Sequence, residues 1–443
     1  MLARRSFLFA AAATLALPAS VRASTLDAAS FGLKPGAVED QTRAMQRAVE
    51  TAAGSRMPLR LAPGAYKVGE IRLPANTQII GVRGATRLVF QGGTACLASQ
   101  RADMVTLSGL VIEGNGKALP ETRGLIVLQH GRGVRVEDCE IAGSSHHGIV
   151  LEGIEGIARG NTVSGVAKAA IVALDSRGLT LSQNTIRSAA NNGILVWRTI
   201  AGDDGTIVEG NRIEEIGARD GGSGQNGNAI NVFRAGNVTV SGNRVRGAAF
   251  SAVRANGAAN VAITGNNFAA LGEVAVYVEF GFEGAVVANN IIDGAALGIV
   301  ATNFNHGGRL ANIHGNIIRN LVNRRPAGTD PNDVAGIGIS AEADAAISSN
   351  VIEGAPTAGI QLGWGQYMRD LSVTANVIKG APVGIAVSVV PGAGQALIAD
   401  NLVQGARIGA VVGMEWKRPV TGDMAREGVG RHAQLSVSGN RVR

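Results

Sequence analysis

Residues Ser241–Phe268 read "SGNRVRGAAFSAVRANGAANVAITGNNF", and the phrase Gly-Asn-x-apolar occurs in them twice, at Asn243 and again at Asn266. Each copy follows an apolar-x-apolar triplet, Val238-Thr239-Val240 before the first and Val261-Ala262-Ile263 before the second. Strict alternation of this kind marks short half-buried strands, and Gly-Asn marks the tight bend that follows each.

From residue 105 onward the chain repeats one phrase: Gly-Ile-x-apolar, a polar link, apolar-x-apolar, two residues, Asn, one residue, then Ile or Val. The Asn position is filled at Asn161, Asn184, Asn211, Asn243, Asn266, Asn290, Asn316, Asn350, Asn376, Asn401 and Asn440, with Leu110 and Cys139 in the first two copies. A unit of three strand pieces and no helix cannot bury its own apolar face, whereas stacked units pair each strand with its copies above and below. The expected fold is therefore all-β, a single-stranded parallel β-helix of about 12 coils and, at ~4.8 Å per coil, roughly 60 Å long. The asparagines are expected at left-handed bends, each donating its amide to the Asn one coil away. Wider spacings between some copies place loop insertions on particular coils.

Composition agrees with this reading. The chain has 62 glycines in 443 residues and only 4% aromatics, so it is rich in turns and poor in large core side chains. The net charge of +7 is diluted over that length, and three arginines lie in the first 23 residues, so charge gives no case for a nucleic-acid or membrane-surface partner. Two cysteines, Cys96 and Cys139, exclude a disulfide scaffold and leave their pairing open.

Residues 1–23 combine Arg4-Arg5-Ser6-Phe7-Leu8, an apolar run and Val21-Arg22-Ala23, the pattern of a cleaved export signal of twin-arginine type. The expectation is a folded protein passed to the twin-arginine export machinery, periplasmic or secreted, with no membrane span after signal removal. Residues 24–104 are expected to hold a capping helix and the first coils: Asp40 stands at a helix start, and Ala44, Met45, Ala48, Val49 and Ala52 follow at helical spacing up to Gly54. The repeats then occupy 105–443.

The helix followed by "LAPGAYKVGEIRLPANTQIIGV" and the recurring Gly-Asn-x-Ile resemble the pectate-lyase-like right-handed parallel β-helix superfamily over the whole chain after the signal. With its twin-arginine head the sequence is similar to a family of twin-arginine-translocated repeat-containing proteins. The resemblance implies a right-handed coil and a site on the outer face of the first strand. It leaves the activity open, because that superfamily holds lyases, epimerases, hydrolases, tailspikes and silent adhesins.

In the Gly-Ile-x-apolar strand the residue between the apolar pair and the residue after it point outward. Read coil by coil, they form one column, Val150, Val172, Leu195, Asn231, Arg254, Tyr277, Val300, Gly338, Gln361, and a second, Glu152, Leu174, Trp197, Phe233, Asn256, Glu279, Thr302, Ser340, Gly363. Insertions at 198–206, 217–228, 302–308 and 320–334 are expected to wall the polar centre of this face.

Such a groove suits an acidic polysaccharide: Trp197 and Phe233 stack on sugar faces, and Asn231, Asn256 and Thr302 bind hydroxyls. The corresponding chemistry is lyase or C5-epimerase action. Arg254 would neutralise the uronate carboxylate; Tyr277, its pKa lowered by that cation, would move a proton; Glu279 or His306 would supply the other transfer. The alternative is a non-catalytic glycan-binding or structural envelope protein. His146-His147 and Asp203-Asp204 bring only fragments of a hydrolase set. No zinc spacing is visible and no cofactor is expected; the loop acids Asp203, Asp204, Asp220, Asp330 and Asp333 could ligate Ca²⁺ with loop carbonyls but show no spaced ligand motif.

Overall fold

The computed structural model of the protein describes residues 25–222, 224–302, 308–330 and 333–443. The signal segment and His306 lie outside them. The chain winds as a parallel β-helix in which each coil lays one strand on each of three faces. In one coil these are Val253–Asn256, Val261–Thr264 and Asn267–Ala269. The third face is a fifteen-stranded sheet; the first two merge into a twenty-nine-stranded sheet through long strands such as Gly124–Glu137 and His147–Arg159. The fifteen strands correspond to about fourteen turns rather than about twelve, because the short strands before residue 105 are full members: Gly64–Val68 pairs with Thr86–Phe90, and that with Leu110–Glu113.

Like residues stack on like inside the coil. Ile230, Val253, Val276 and Ile299 lie in register on the first face, Val240, Ile263 and Val287 on the second, and Val245, Phe268 and Ile292 on the third. All are at most 1% exposed, and each contributes roughly 1.5–3 kcal/mol by leaving water. Small side chains on so narrow a coil explain how a core forms with few aromatics.

The asparagine ladder is continuous from Asn161 to Asn440. The Asn243 side-chain amide donates to Asn266 Oδ1 at 3.0 Å and to the Val208 carbonyl at 2.9 Å, while its backbone N–H reaches the same Asn266 oxygen at 2.8 Å. Cys139, which has no amide, begins the ladder with its backbone N–H on Asn161 Oδ1. The left-handed residue, however, is the one before each Asn rather than the Asn itself: Gly160, Gly242 and Gly265, and at some coils Gln183, Ser349, Ala375 or Asp400. The bend needs a positive φ at that position, and the Asn that follows is freed to point inward and bond along the axis.

The amino-terminal end is closed. The helix Thr42–Gly54 seats Met45, Ala48, Val49, Ala52 and Ala53 on the first coils, with Asp40 accepting from the Thr42 N–H at 2.9 Å. At the other end Gly409–Glu415 turns back on Arg418–Asp423, the one antiparallel pairing among the described residues, and the short helix Met424–Glu427 leads into the final coil. That detour accounts for the longest asparagine spacing, between Asn401 and Asn440. Cys96 and Cys139 are buried free thiols, which burial pushes up to about 12.

Candidate functional site

The first face carries the sequence-derived columns as neighbours. Asn231 pairs with Arg254 and Arg254 with Tyr277; alongside run Trp197, Phe233, Asn256, Glu279 and Thr302. Beyond Val300 the expected register slips by two residues: Ser340, not Gly338, continues the first column. Gly338 points inward, where a Cβ would strike Ile352. A third outward column also exists, through Asn192 and Asn228 on the upstream coils and Val274, Leu297, Ile337 and Ala358 further along.

Arg254 is 7% exposed, and Glu279 and Glu273 are fully buried. Arg254 donates to both Glu279 oxygens, Nε at 2.6 Å and Nη2 at 2.8 Å, and Asn256 Nδ2 donates to the same carboxylate at 2.9 Å. Its Nη1 lies 3.7 Å from Glu273 Oε2 without a hydrogen bond, and its guanidinium carbon sits 4.7 Å from the centre of the Tyr277 ring. Arg325, from the 320–334 insertion, donates to Glu273 at 2.6 Å and lies 3.2 Å from Asp333. The bidentate pair therefore saturates two of the three Arg254 nitrogens from within the protein.

The electrostatics of Tyr277 run opposite to expectation. Burial first, then the Glu279 charge, raise its phenol well above the ordinary tyrosine range, and Arg254 offsets only part of this. Desolvation outweighs the cation because Glu279 already neutralises that cation. Burial likewise pushes the Glu273 carboxyl upward against the pull of Arg254 and Arg325.

The expected binding residues divide. Asn231 spends its amide on the protein, donating to the Gly224 carbonyl at 2.9 Å and accepting from Trp197 Nε1 at 3.1 Å. Trp197 and Phe233 form an edge-to-face pair with ring centres 5.9 Å apart, and both stay partly exposed. Thr302 is 5% exposed on the floor beside Tyr277.

The insertions at 217–228 and 320–334 meet over this face, with the Gly328 carbonyl 2.9 Å from where a Gly222 Cβ would stand. Upstream of the crossing lies a cavity of about 450 Å³ lined by Arg123, Gln129, His147, Glu152, Lys168 and Trp197 among others. Downstream lies one of about 310 Å³ whose lining includes Tyr277, Thr302, Arg325, Gln361 and Trp364. In the upstream cavity Lys168 is paired with Asp220, but Arg123 meets only the Gln129 amide oxygen, at 3.2 Å, and no carboxylate among the described residues. The Tyr277 hydroxyl has no hydrogen-bond partner among the described residues.

Sequence reading passed over Glu273, Arg325, Arg123 and Gln129. Glu273 precedes the strand Val274–Glu279, in the turn onto the first face, where the outward columns do not reach. Arg325 lies in an insertion, where the repeat gives no register. Among the described residues no group of three or more His, Cys, Asp or Glu could hold a metal ion, and no helix is long and apolar enough to cross a membrane.

Residues 85–213 and 199–378 match the family described as "Right handed beta helix region", and the chain belongs to that family. Among solved structures it is similar to the pre-mature gene product 12 of bacteriophage phi29 (TM-score 0.54, 15% identity), covering 87% of this chain. The chain spans about half of that protein, 54%. It is also similar to the catalytic unit of a GH87 alpha-1,3-glucanase from Streptomyces thermodiastaticus strain HF3-3 (TM-score 0.53, 13% identity, 89% of this chain and 69% of the other). These likenesses establish the fold. No curated protein sequence matches the chain.

Proposed function

We propose that this chain is an exported rod that binds an acidic polysaccharide along its first-strand face. The observation that carries the reading is the upstream cavity, which the Trp197 ring and the Arg123 side chain both line and where no carboxylate among the described residues takes the Arg123 charge. An aromatic plane offers stacking to a sugar, and a guanidinium without a carboxylate partner suits the acid group of a uronate or a similar residue. A polysaccharide-acting glucanase on the same fold is consistent with a glycan partner. Residues 1–23, read as a twin-arginine signal, support placing the protein in the periplasm or outside the cell.

Lyase or C5-epimerase action is the second reading, favoured by Tyr277, which lines the downstream cavity and whose hydroxyl has no hydrogen-bond partner among the described residues. A phenol held high suits the proton donor to a leaving oxygen or to the opposite face of the sugar. Glu279, locked to Arg254, and His306 are the candidates for the proton acceptor. Arg254 ranks lower than the sequence suggests as the carboxylate clamp, because Glu279 already occupies it.

Both readings are tested with the chain lacking residues 1–23 and a panel of polyuronates. Binding is followed by calorimetry, elimination by ultraviolet absorbance of unsaturated ends, and epimerisation by proton exchange at C5. Binding that Arg123→Ala or Trp197→Ala weakens about tenfold or more, without turnover, is the expected result. Turnover abolished by Tyr277→Phe would make the second reading the correct one; absence of binding to every polyuronate would overturn both.

A further inference from the structure

A third cavity, of about 210 Å³, lies on the same face toward the carboxyl end, and its character differs from the other two. Its floor is Ala358, Val383 and Ala386, and its walls are Trp364, Trp416 and Met414. The two indoles meet edge to face with ring centres 5.5 Å apart. Two of the few polar groups at the cavity are committed elsewhere: Ser388 donates to the Gly365 carbonyl at 2.7 Å and Thr357 to the Ala335 carbonyl at 2.5 Å. Gln361 is left with no such commitment among the described residues; it and Lys417 also border the Tyr277 cavity, as Trp364 does, so the two spaces adjoin.

The wall is built at a cost. Trp416 is the first residue of the two-residue turn between Gly409–Glu415 and Arg418–Asp423, and its φ is 56°. Hairpin turns with a left-handed first residue ordinarily place glycine, asparagine or aspartate there, and a bulky residue in that conformation is strained. The ring, with the residue 47% exposed, lies on Gly365, where a Cβ would stand 2.2 Å from it. Both the strained tryptophan and the missing Cβ at Gly365 serve to hold an indole over the cavity, and strain kept at a concave surface points to a ligand.

The chemistry of the walls selects that ligand. A sugar ring buried here would leave most of its hydroxyls without partners, whereas an apolar group with one carbonyl would be satisfied by Gln361. The volume is more than ten times what one ordered water needs, and a concavity this apolar is weakly hydrated. Resting on the glycan-binding reading of the adjoining groove, we infer that this cavity takes the short acyl substituent of an acylated sugar, the Gln361 amide donating to its carbonyl. The protein would thereby read the decoration of the polysaccharide separately from its charge.

The chain has three tryptophans, so the two sites can be followed separately by fluorescence. In a Trp197→Phe background, emission reports Trp364 and Trp416 alone. Titration uses N-acetylated chito-oligosaccharides, an O-acetylated polyuronate, and the deacylated form of each. The expected result is an emission change with the acylated forms and roughly tenfold or more weaker binding of the deacylated ones. Trp416→Gly, which removes the strain, should keep or raise the melting temperature and abolish the response, and Gln361→Leu should weaken it. Equal response to acylated and deacylated glycans, no response to either acylated probe, or a response that survives Trp416→Gly would each overturn the inference. So would emission that changes with protein concentration alone, which would make a second copy of the chain the occupant. The complementary Trp364→Phe, Trp416→Phe double variant reports Trp197 and the polyuronate site, so loss of one signal with retention of the other separates the two proposals.

Discussion

At the scale of single residues, the arginine that interrupts the repeat joins a buried charge network, and its chemistry is set by its partners. Arg254 stands where most other coils place Val, Leu or Ala, and this made it visible; Glu279, one coil on, takes two of its three nitrogens. Removing one partner of a buried pair leaves the other charge stranded, so Arg254→Ala should cost about 3–5 kcal/mol in denaturant unfolding. A paired Arg254→Met, Glu279→Leu change should cost much less, which distinguishes a structural latch from a surface ion pair. His147 provides a pH signature. Burial, then neighbouring His146, lower its imidazole from 6.5 to about 4 while its ring accepts from the Ala169 N–H. The folded chain thus keeps His147 neutral where the unfolded chain protonates it. Its contribution is complete above about pH 6.5 and is lost as pH falls toward 4, up to about 3 kcal/mol. The difference in pH-dependent stability between the natural chain and His147→Gln isolates that term.

At the scale of elements, the ladder was almost entirely legible. Eleven asparagines at one place in a repeated phrase require a shared bond along the axis, and the structure has that bond at every step from Asn161 to Asn440. What the phrase concealed was which residue carries the left-handed turn, because Gly and Asn adjoin in most copies and both tolerate it. The coils with Ala375 and Ser349 before the Asn resolve this. Asn266→Ala leaves the Asn243 backbone N–H without an acceptor deep in the coil and its side-chain amide with only the Val208 carbonyl, for an expected loss of about 2–4 kcal/mol. Asn440→Ala at the last rung should cost less, since its surroundings are only partly buried and water replaces the acceptor. Thermal unfolding of the two variants side by side checks the gradient.

At the scale of the whole molecule, coils pair their strands with the neighbouring coils, and among the described residues the pair of insertions that cross the first face links more distant coils there. Arg325 pins one of them to Glu273, and a set of asparagine bonds pins the other, including Asn231 to Gly224 and Asn192 to Gln225. Arg325→Ala should leave the coil intact and loosen the crossing. The expected signs are several-fold faster proteolysis within residues 320–334 and faster amide exchange there, against unchanged exchange in the ladder.

What the sequence determined by itself was everything that repeats, the three-faced coil, most of its inward residues, the ladder and the face on which the outward columns stand, together with the capping helix, whose apolar spacing is local. Periodicity encodes these because each coil solves the same burial problem as the last, and a one-residue slip would turn every apolar side chain outward. What only the tertiary structure decided was everything that does not repeat. The meeting of two insertions, the landing of Arg325 on a buried Glu273, the lifting of the Tyr277 phenol and the placing of Trp416 over its cavity depend on contacts between segments with no shared register. Their energetics follow from burial and charge in three dimensions, where a partner more than fifty residues away, as Arg325 is from Glu273, matters as much as the neighbouring rung.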